Sequence, residues 1–390
     1  MLLFVWQFDP RGNKVGGIGK YVLSFIRQLS FDIEIGVIGV TTRKEEVGKW
    51  HIITIGNNKI NFFPVCYVVD ENIKKLLPLS LNFSYGLFKY RASFKSNYIL
   101  FHQRLEYVLP LLYIRNKQYC LAHYDINQYL DKKNGESYWC HFPALYRMIM
   151  SLVLNRINGL FSVNNNTIAY IKKYFKSFDG SLSFTPTWAD PVVFNYQKKL
   201  EEYYIKEVRN RFNIPSNDRV ILVIGRLNDH KNIDLTLDVI VRLKQVKLIV
   251  VGDGPAKNSL VNKAETLGIT NKVMFIGRLE QLEITKLYYA ASFYLSTSNT
   301  EGMSVALLES LNMGVPVVTT PTGEAMNVVT KGLNGHVSTD WNVEELVMYS
   351  NEIMDNPKLY QRNIIIESIK KITPECITLE ILKKMGLAKL

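Results

Sequence analysis

Short apolar runs ending in Gly or Ser recur through the second half of the chain, and each is followed by an amphipathic stretch. Five stand out: 220–225 (VILVIG), 247–252 (KLIVVG), 272–277 (KVMFIG), 293–296 (FYLS) and 315–320 (VPVVTT). Runs of this length without polar alternation suit strands covered on both faces, so the pattern predicts an α/β fold with a parallel sheet between helices. The clearest helix candidate is 303–313. The first half opens the same way, with a strand over 2–7, a loop holding Gly12, Gly16, Gly17 and Gly19, and an apolar helix over 20–29. Beyond it, 74–115 and 138–176 are rich in Lys, Tyr, Phe and Leu without clean periodicity, and strands are only weakly marked. The charged segment 197–213, followed by Pro215, Ser216, Asn217 and Asp218, predicts the hinge. The expected organisation is a first domain over 1–196, a linker over 197–218, a second domain over 219–370 and a helical tail over 371–390 that can pack back on the first domain.

A length of 390 residues supports two such domains, and 47% apolar against 21% charged residues excludes a disordered chain. The four cysteines, Cys66, Cys120, Cys140 and Cys376, are scattered, which argues against a zinc site or a disulfide framework and for a reducing compartment. The opening MLLFVWQF has no basic region or cleavage site and reads as a strand, and no apolar run reaches the roughly 18 residues of a membrane span. Charge adds an asymmetry. Residues 1–198 hold 24 Lys and Arg against 13 Asp and Glu, whereas the remainder holds 23 against 22. A net +11 confined to the first half suits an anionic membrane surface or nucleic acid, or a solvated surface with no partner. No nucleic-acid motif accompanies the charge, so no nucleic-acid partner is expected.

Four features of the second half combine into a site for a diphosphate bearing a sugar and a nucleoside. Gly225, Arg226 and Lys231 follow a strand, and at the carboxyl end of a parallel strand the loop faces the crevice where ligands bind. There Arg226 presents a planar fork and Lys231 a point charge to phosphate oxygens. Gly252, Asp253, Gly254 and Pro255 form a tight turn after the next strand, and Gly277 and Arg278 close a third. Glu301, Gly302, Met303, Ser304 and Glu309 are read as opening a helix whose first amides face an anion or sugar hydroxyls. Eight residues of helix rise about 12 Å, which would set Glu301 and Glu309 at opposite ends of an extended ligand. In the first half, Gly16 and Gly17 lie between strand and helix, either cradling phosphate or simply making a tight turn. His123, in LAHYD, falls at a strand end, a place where a histidine is commonly structural.

This set resembles the retaining glycosyltransferases of family four, whose members have the GT-B fold. GGIGKYVLSFIRQL, LAHYD, GRLNDHKNIDLTL, VGDGP, VMFIGRL, STSNTEGMSVALLESLNMGVPVVTT and GLNGHV occur in the family's order. The resemblance implies two Rossmann-like domains with parallel sheets facing a central cleft. Arg226 and Lys231 would bind the donor diphosphate, with Gly16 and Gly17 bordering it, and His123 would lie near the transferred sugar. Glu301 would contact that sugar, the amides of Met303 and Ser304 would lie near sugar or phosphate, and Glu309 would hold the ribose. Retention at the anomeric carbon is implied, and no cofactor or metal is expected, in keeping with the absence of any DxD. The chain departs from the family's common NGVD sequence, with Thr187, Trp188, Ala189 and Asp190 followed by Phe194.

The implied partners are a nucleotide sugar donor, with uridine favoured over guanosine, and a glycan or lipid-linked acceptor in bacterial surface polysaccharide synthesis. The expected location is the cytoplasm, with peripheral contact at the inner face of the membrane. Residues 142–161 read either as an interfacial helix with Arg147 and Arg156 toward headgroups or as a core helix. A catalytically silent sugar-binding partner, a sugar nucleotide epimerase and a sugar phosphate synthase are the alternative readings.

Overall fold

The computed structural model describes residues 1–12, 17–29, 33–56, 58–69, 78–123, 125–130 and 138–388. They divide into two compact units, Met1–Pro186 with Pro374–Leu390, and Thr187–Thr373. Both are parallel sheets covered by helices.

The first unit holds β1 (Leu2–Val5), α1 (Gly17–Gln28), β2 (Ile35–Thr41), β3 (His51–Ile55), β4 (Asn58–Tyr67) and α2 (Leu79–Lys89). It continues with β5 (Ile99–His102), β6 (Lys117–Ala122), α3 (Ile126–Leu130), α4 (Pro143–Leu154), β7 (Gly159–Ser162), α5 (Asn165–Tyr174) and β8 (Ser181–Phe184). The strand order is β3-β4-β2-β1-β5-β6-β7-β8, parallel apart from the β3/β4 hairpin. Period-two alternation sorts the two faces of the sheet. Leu3, Val5 and Leu100 pack with Phe83 and Leu87 of α2, whereas Phe4 and Phe101 pack with Phe25 of α1. Cys120 and Leu160 pack with Tyr146 and Met150 of α4. A 3-10 segment, Leu105–Leu111, lies between the two clusters and contributes to both, so α2, this segment and α4 form one layer on one face.

The stretch 142–161 is therefore a helix over its first part only. It passes into β7, and Arg156 points inward, its guanidinium donating to the carbonyls of Leu112 (2.9 Å), Ile114 and Asn116 (3.1 Å). Arg156 cannot face headgroups, because three backbone oxygens hold it.

The second unit holds α6 (Glu201–Arg211), β9 (Arg219–Ile224), α7 (Ile233–Arg242), β10 (Val246–Val251), α8 (Lys257–Thr266), β11 (Val273–Gly277) and α9 (Gln281–Ala290). Then come β12 (Phe293–Ser296), α10 (Val305–Asn312), β13 (Val317–Thr319), α11 (Ala325–Val328), β14 (Gly335–Val337), α12 (Val343–Asp355) and α13 (Arg362–Ser368). The last helix, α14 (Pro374–Met385), belongs to the first unit and packs on α1. The second sheet is wholly parallel, in the order β11-β10-β9-β12-β13-β14; β9 to β13 are the five apolar runs of the sequence, and β14 is a sixth strand outside them. The division falls between Pro186 and Thr187, ahead of the segment read as the linker. Residues 197–218 are built into the second unit, where α6 packs on α9 and Glu201 accepts from the Arg362 Nε at 2.9 Å.

Candidate active site

Strand order locates the site. From β9 the chain winds outward through β10 and β11, then returns to β12 beside β9 and winds the other way. At such a reversal the loops after the two central strands diverge and leave a crevice at their carboxyl ends. Here those loops are 225–232 after β9 and 297–304 after β12.

The two loops are joined by hydrogen bonds. The Asn299 amide donates to the His230 carbonyl at 2.7 Å, the Thr297 hydroxyl donates to the Asn232 carbonyl at 2.8 Å, and Asn232 Nδ2 donates to Asn299 Oδ1 at 3.0 Å. Across this junction the Lys231 ammonium pairs with the Glu301 carboxylate, which also accepts from the Ser298 hydroxyl at 3.0 Å. Burial pulls the Lys231 pKa down, but Glu301 and the nearby Tyr294 outweigh it, so the net shift is upward and the side chain stays an ammonium. Ser298 is held in turn: its carbonyl accepts from the Thr320 hydroxyl (2.8 Å) and the Trp341 indole (3.0 Å). Tyr294 lies buried beneath the site, its hydroxyl hydrogen-bonded to Ser304 and its pKa raised mainly by burial.

A few residues away, Gly225, Arg226, Gly252, Asp253 and Arg278 line an open cavity of about 280 Å³ at the ends of β9, β10 and β11. Arg226 and Arg278 are exposed there, and neither makes an ion pair among the described residues. Two unpaired guanidinium groups on one concave surface present donors of the kind that suit an anion. Gly252 explains why the strand ends come so close. Its φ is 138°, and a Cβ there would lie 1.8 Å from the Gly225 carbonyl oxygen.

The helix after β12 starts later than the sequence suggested. It runs Val305–Asn312, capped by the Ser304 hydroxyl, which accepts from the Leu307 amide at 3.4 Å. Glu301 therefore lies in the preceding loop, and the 12 Å helical separation from Glu309 does not apply. Glu309 is on α10, buried, and accepts from the Tyr288 hydroxyl at 3.4 Å. Met303 and Ser304 line a cavity of about 10 Å³ at the N-terminus of this helix, together with Thr322 and Glu324. Gly323, φ 56°, lets that loop approach, since a Cβ would lie 2.6 Å from the Gly302 carbonyl oxygen. Ser298, Tyr294 and Glu324 were not singled out from the sequence. The hydroxyl run 296–298 was their faint signal; nothing local marked Glu324.

The remaining expected residues belong to the first unit. Gly16 lies outside the described residues, and Gly17 is the first residue of α1. His123 follows β6 with its ring edge-on to Tyr21 (5.0 Å) and Trp6 (5.9 Å). Its Nε2 is buried without a hydrogen-bond partner among the described residues, and burial lowers its pKa to about 3. The ring is therefore neutral. Nearby, Arg11 ties Asp9 and Glu46 together at the ends of β1 and β2, with contacts of 2.8 Å to each. Hydrogen bonds from Arg11 hold the Glu46 pKa down at about 2.

A parallel sheet with paired and unpaired cations beside its winding reversal is the place where α/β sheets of this kind take their ligands. Residues 205–371, somewhat under half of the chain, match the family model described as "Glycosyl transferases group 1". Among curated proteins the chain is similar to alpha-monoglucosyldiacylglycerol synthase of Streptococcus pneumoniae, 24% identical over 308 residues, covering 76% of this chain and 67% of that protein. It is also similar to the O-antigen biosynthesis glycosyltransferase WclY of Escherichia coli, 28% identical over 151 residues, covering 37% and 41%. The chain thus spans between about two fifths and two thirds of these relatives' lengths. The solved structure of Anabaena Alr3699/HepE in complex with UDP and glucose superposes with a TM-score of 0.70 at 17% identity, covering 99% of each chain. At that identity the likeness establishes the GT-B fold.

Proposed function

We propose that the protein is a retaining, metal-independent hexosyltransferase that uses a nucleoside diphosphate sugar, with UDP favoured, and builds a bacterial surface glycan on a glycan or lipid-linked acceptor. The observation that carries this reading is the Lys231–Glu301 pair at the β9/β12 reversal, beside the unpaired Arg226 and Arg278. Arg226 and Lys231 offset the charge that grows on the leaving diphosphate, a task for which preorganised cations in a partly desolvated site are effective. Glu301 remains beside that anion because Lys231 and the Ser298 hydroxyl offset its own charge, leaving an oxygen for a sugar hydroxyl. Glu309 accepts from the ribose. The amides of Met303 and Ser304, at the start of α10, meet sugar or phosphate.

In the reaction, the bond from anomeric carbon to phosphate oxygen breaks as the acceptor oxygen bonds to the same face. The acceptor's proton passes to the departing phosphate. His123, its ring neutral, takes no part as a charged acid. UDP is favoured by the ligand of the Anabaena fold relative, and a surface-glycan or lipid acceptor by the names of the curated relatives.

The test is release of nucleoside diphosphate from a panel of UDP-, GDP- and ADP-hexoses, with EDTA and with a lipid extract as acceptor, followed by assignment of the product anomer. The proposal expects one donor to be consumed with retention, and a loss of roughly 100-fold or more in Arg226→Ala. Binding without turnover of any donor would instead establish the silent-partner reading.

A further inference from the structure

The charges around the crevice of the second unit are sorted by strand. Arg226 and Arg278 stand at the ends of β9 and β11, whereas the loops after β12 and β13 each bring a glutamate, Glu301 and Glu324. Those two loops lie in contact. Gly323, at φ 56°, comes so close that a Cβ on it would stand 3.0 Å from the Glu301 carbonyl oxygen and 3.2 Å from the Glu301 Cβ. Thr320, in the same loop, donates to the Ser298 carbonyl at 2.8 Å, and the Ser298 hydroxyl donates to the Glu301 carboxylate at 3.0 Å. The loop after β13 therefore helps to fix Glu301, and Glu324 is the residue that follows the point of contact.

Glu324 is 3% exposed, and Asn327 Nδ2 donates to one of its oxygens at 2.5 Å. With Ser296, Met303, Ser304 and Thr322 it lines the cavity of about 10 Å³ at the start of α10, whose other walls are apolar. A carboxylate in such a wall is costly unless something polar meets it. This is also the end of the crevice where the proposed function sets the sugar, against Glu301 and the amides of Met303 and Ser304. Carboxylate oxygens accept hydrogen bonds and donate none, so the hydroxyls of an uncharged sugar match them. An acid group on the sugar does not: it meets like charge in a partly desolvated space. Lys231 is no counterweight, because its ammonium pairs with Glu301. The crevice thus turns cations to one end of its ligand and carboxylates to the other.

We propose that Glu324 is a specificity-determining residue which, together with Glu301, confines the donor to nucleotide sugars whose sugar carries no acid group. It takes a hydrogen bond from a hydroxyl of an uncharged hexose and repels the carboxylate of a uronosyl donor. The inference rests on the reading of this crevice as a nucleotide-sugar site and narrows it from hexosyl donors in general to uncharged ones. The diphosphate, common to both kinds of donor, contributes nothing to the choice.

The experiment is calorimetric binding of matched donors to the full chain: UDP-glucose against UDP-glucuronate, UDP-galactose against UDP-galacturonate, and GDP-mannose against GDP-mannuronate. UDP and GDP serve as references without a sugar. Each pair differs only in the oxidation of C6, so its affinity ratio reads the charge on the sugar. Wild type is expected to bind the uncharged member of the pair it recognises at least about ten-fold more tightly than the uronate. Glu324→Gln keeps the shape of the side chain and removes its charge, and should narrow that ratio to about three-fold or less. Circular dichroism checks the fold of the variant. The wild-type ratio needs no variant and decides the matter even where Glu324→Gln fails to fold. A uronate bound as tightly as its uncharged partner, or a ratio that Glu324→Gln leaves unchanged, would overturn the inference. Failure to bind any nucleotide or nucleotide sugar would count against the donor-site reading itself, and the inference would fall with it.

Discussion

The first unit carries 26 Lys and Arg against 14 Asp and Glu, whereas the second carries 21 against 21, although both are parallel sheets clothed in helices. In the second unit, charges balance locally through surface pairs such as Lys286–Glu207, Arg242–Glu344 and Lys263–Asp238. Against that neutral background, Arg226 and Arg278 stand out because no carboxylate pairs with them among the described residues. In the first unit, basic residues outnumber acidic ones nearly two to one. One architecture thus supports two kinds of electrostatics: charges paired locally in the second unit, and an unbalanced basic excess in the first.

The largest predicted effect separates the two. Lys231→Ala should lower turnover of the donor by about 100- to 1,000-fold while leaving the fold of the first unit unchanged, as steady-state kinetics and circular dichroism would report together. Next, Glu309→Ala should weaken nucleotide binding by about ten-fold or somewhat more, the size of a hydrogen bond to a charged group, with the sugar contribution unaltered in calorimetry. Within the first unit, Arg11→Met should cost about 2 kcal/mol of stability at neutral pH, since it removes the charged hydrogen bonds to Asp9 and Glu46 and leaves the buried Glu46 with only Thr41 and the more exposed Arg43. Glu46 has a folded pKa of about 2 against an ordinary value of 4.5. Its contribution is therefore full above about pH 4.5 and fades as pH falls toward 2, so the gap between wild type and variant in urea unfolding should narrow at pH 3.

The smallest effect concerns His123. Its folded pKa of about 3 lies below the ordinary 6.5, so burying the neutral ring stabilises the fold above pH 6.5, and this is lost as pH falls toward 3. Its proton resonances should not titrate between pH 5 and 8. A midpoint near 6.5 would show that the ring is more solvated than the fold indicates.

The same contrast governs what could be read from sequence. Strands β9 to β12 fell within a residue or two of their apolar runs because burial on both faces leaves no polar alternation to confuse the pattern. In the first unit, the β3/β4 hairpin is edge structure with exposed alternate residues, and the basic helices share apolar residues between core and outer stripe, so their periodicity blurs. Motif residues Arg226, Lys231 and Glu301 were legible because each follows a strand. The capping hydroxyl of Ser304 shifted the start of α10, and the three carbonyls holding Arg156 come from 40 residues or more away in sequence. Ser298 and Glu324 join the site only through contacts that no local pattern records.

Calorimetric titration of UDP into wild type and Arg226→Ala, each in EDTA, addresses the central claim most directly. Wild type should bind without metal, and Arg226→Ala should bind at least about ten-fold more weakly. Equal affinities in the two proteins, or binding that vanishes in EDTA, would contradict the assignment of the β9/β12 crevice as a cationic, metal-independent donor site.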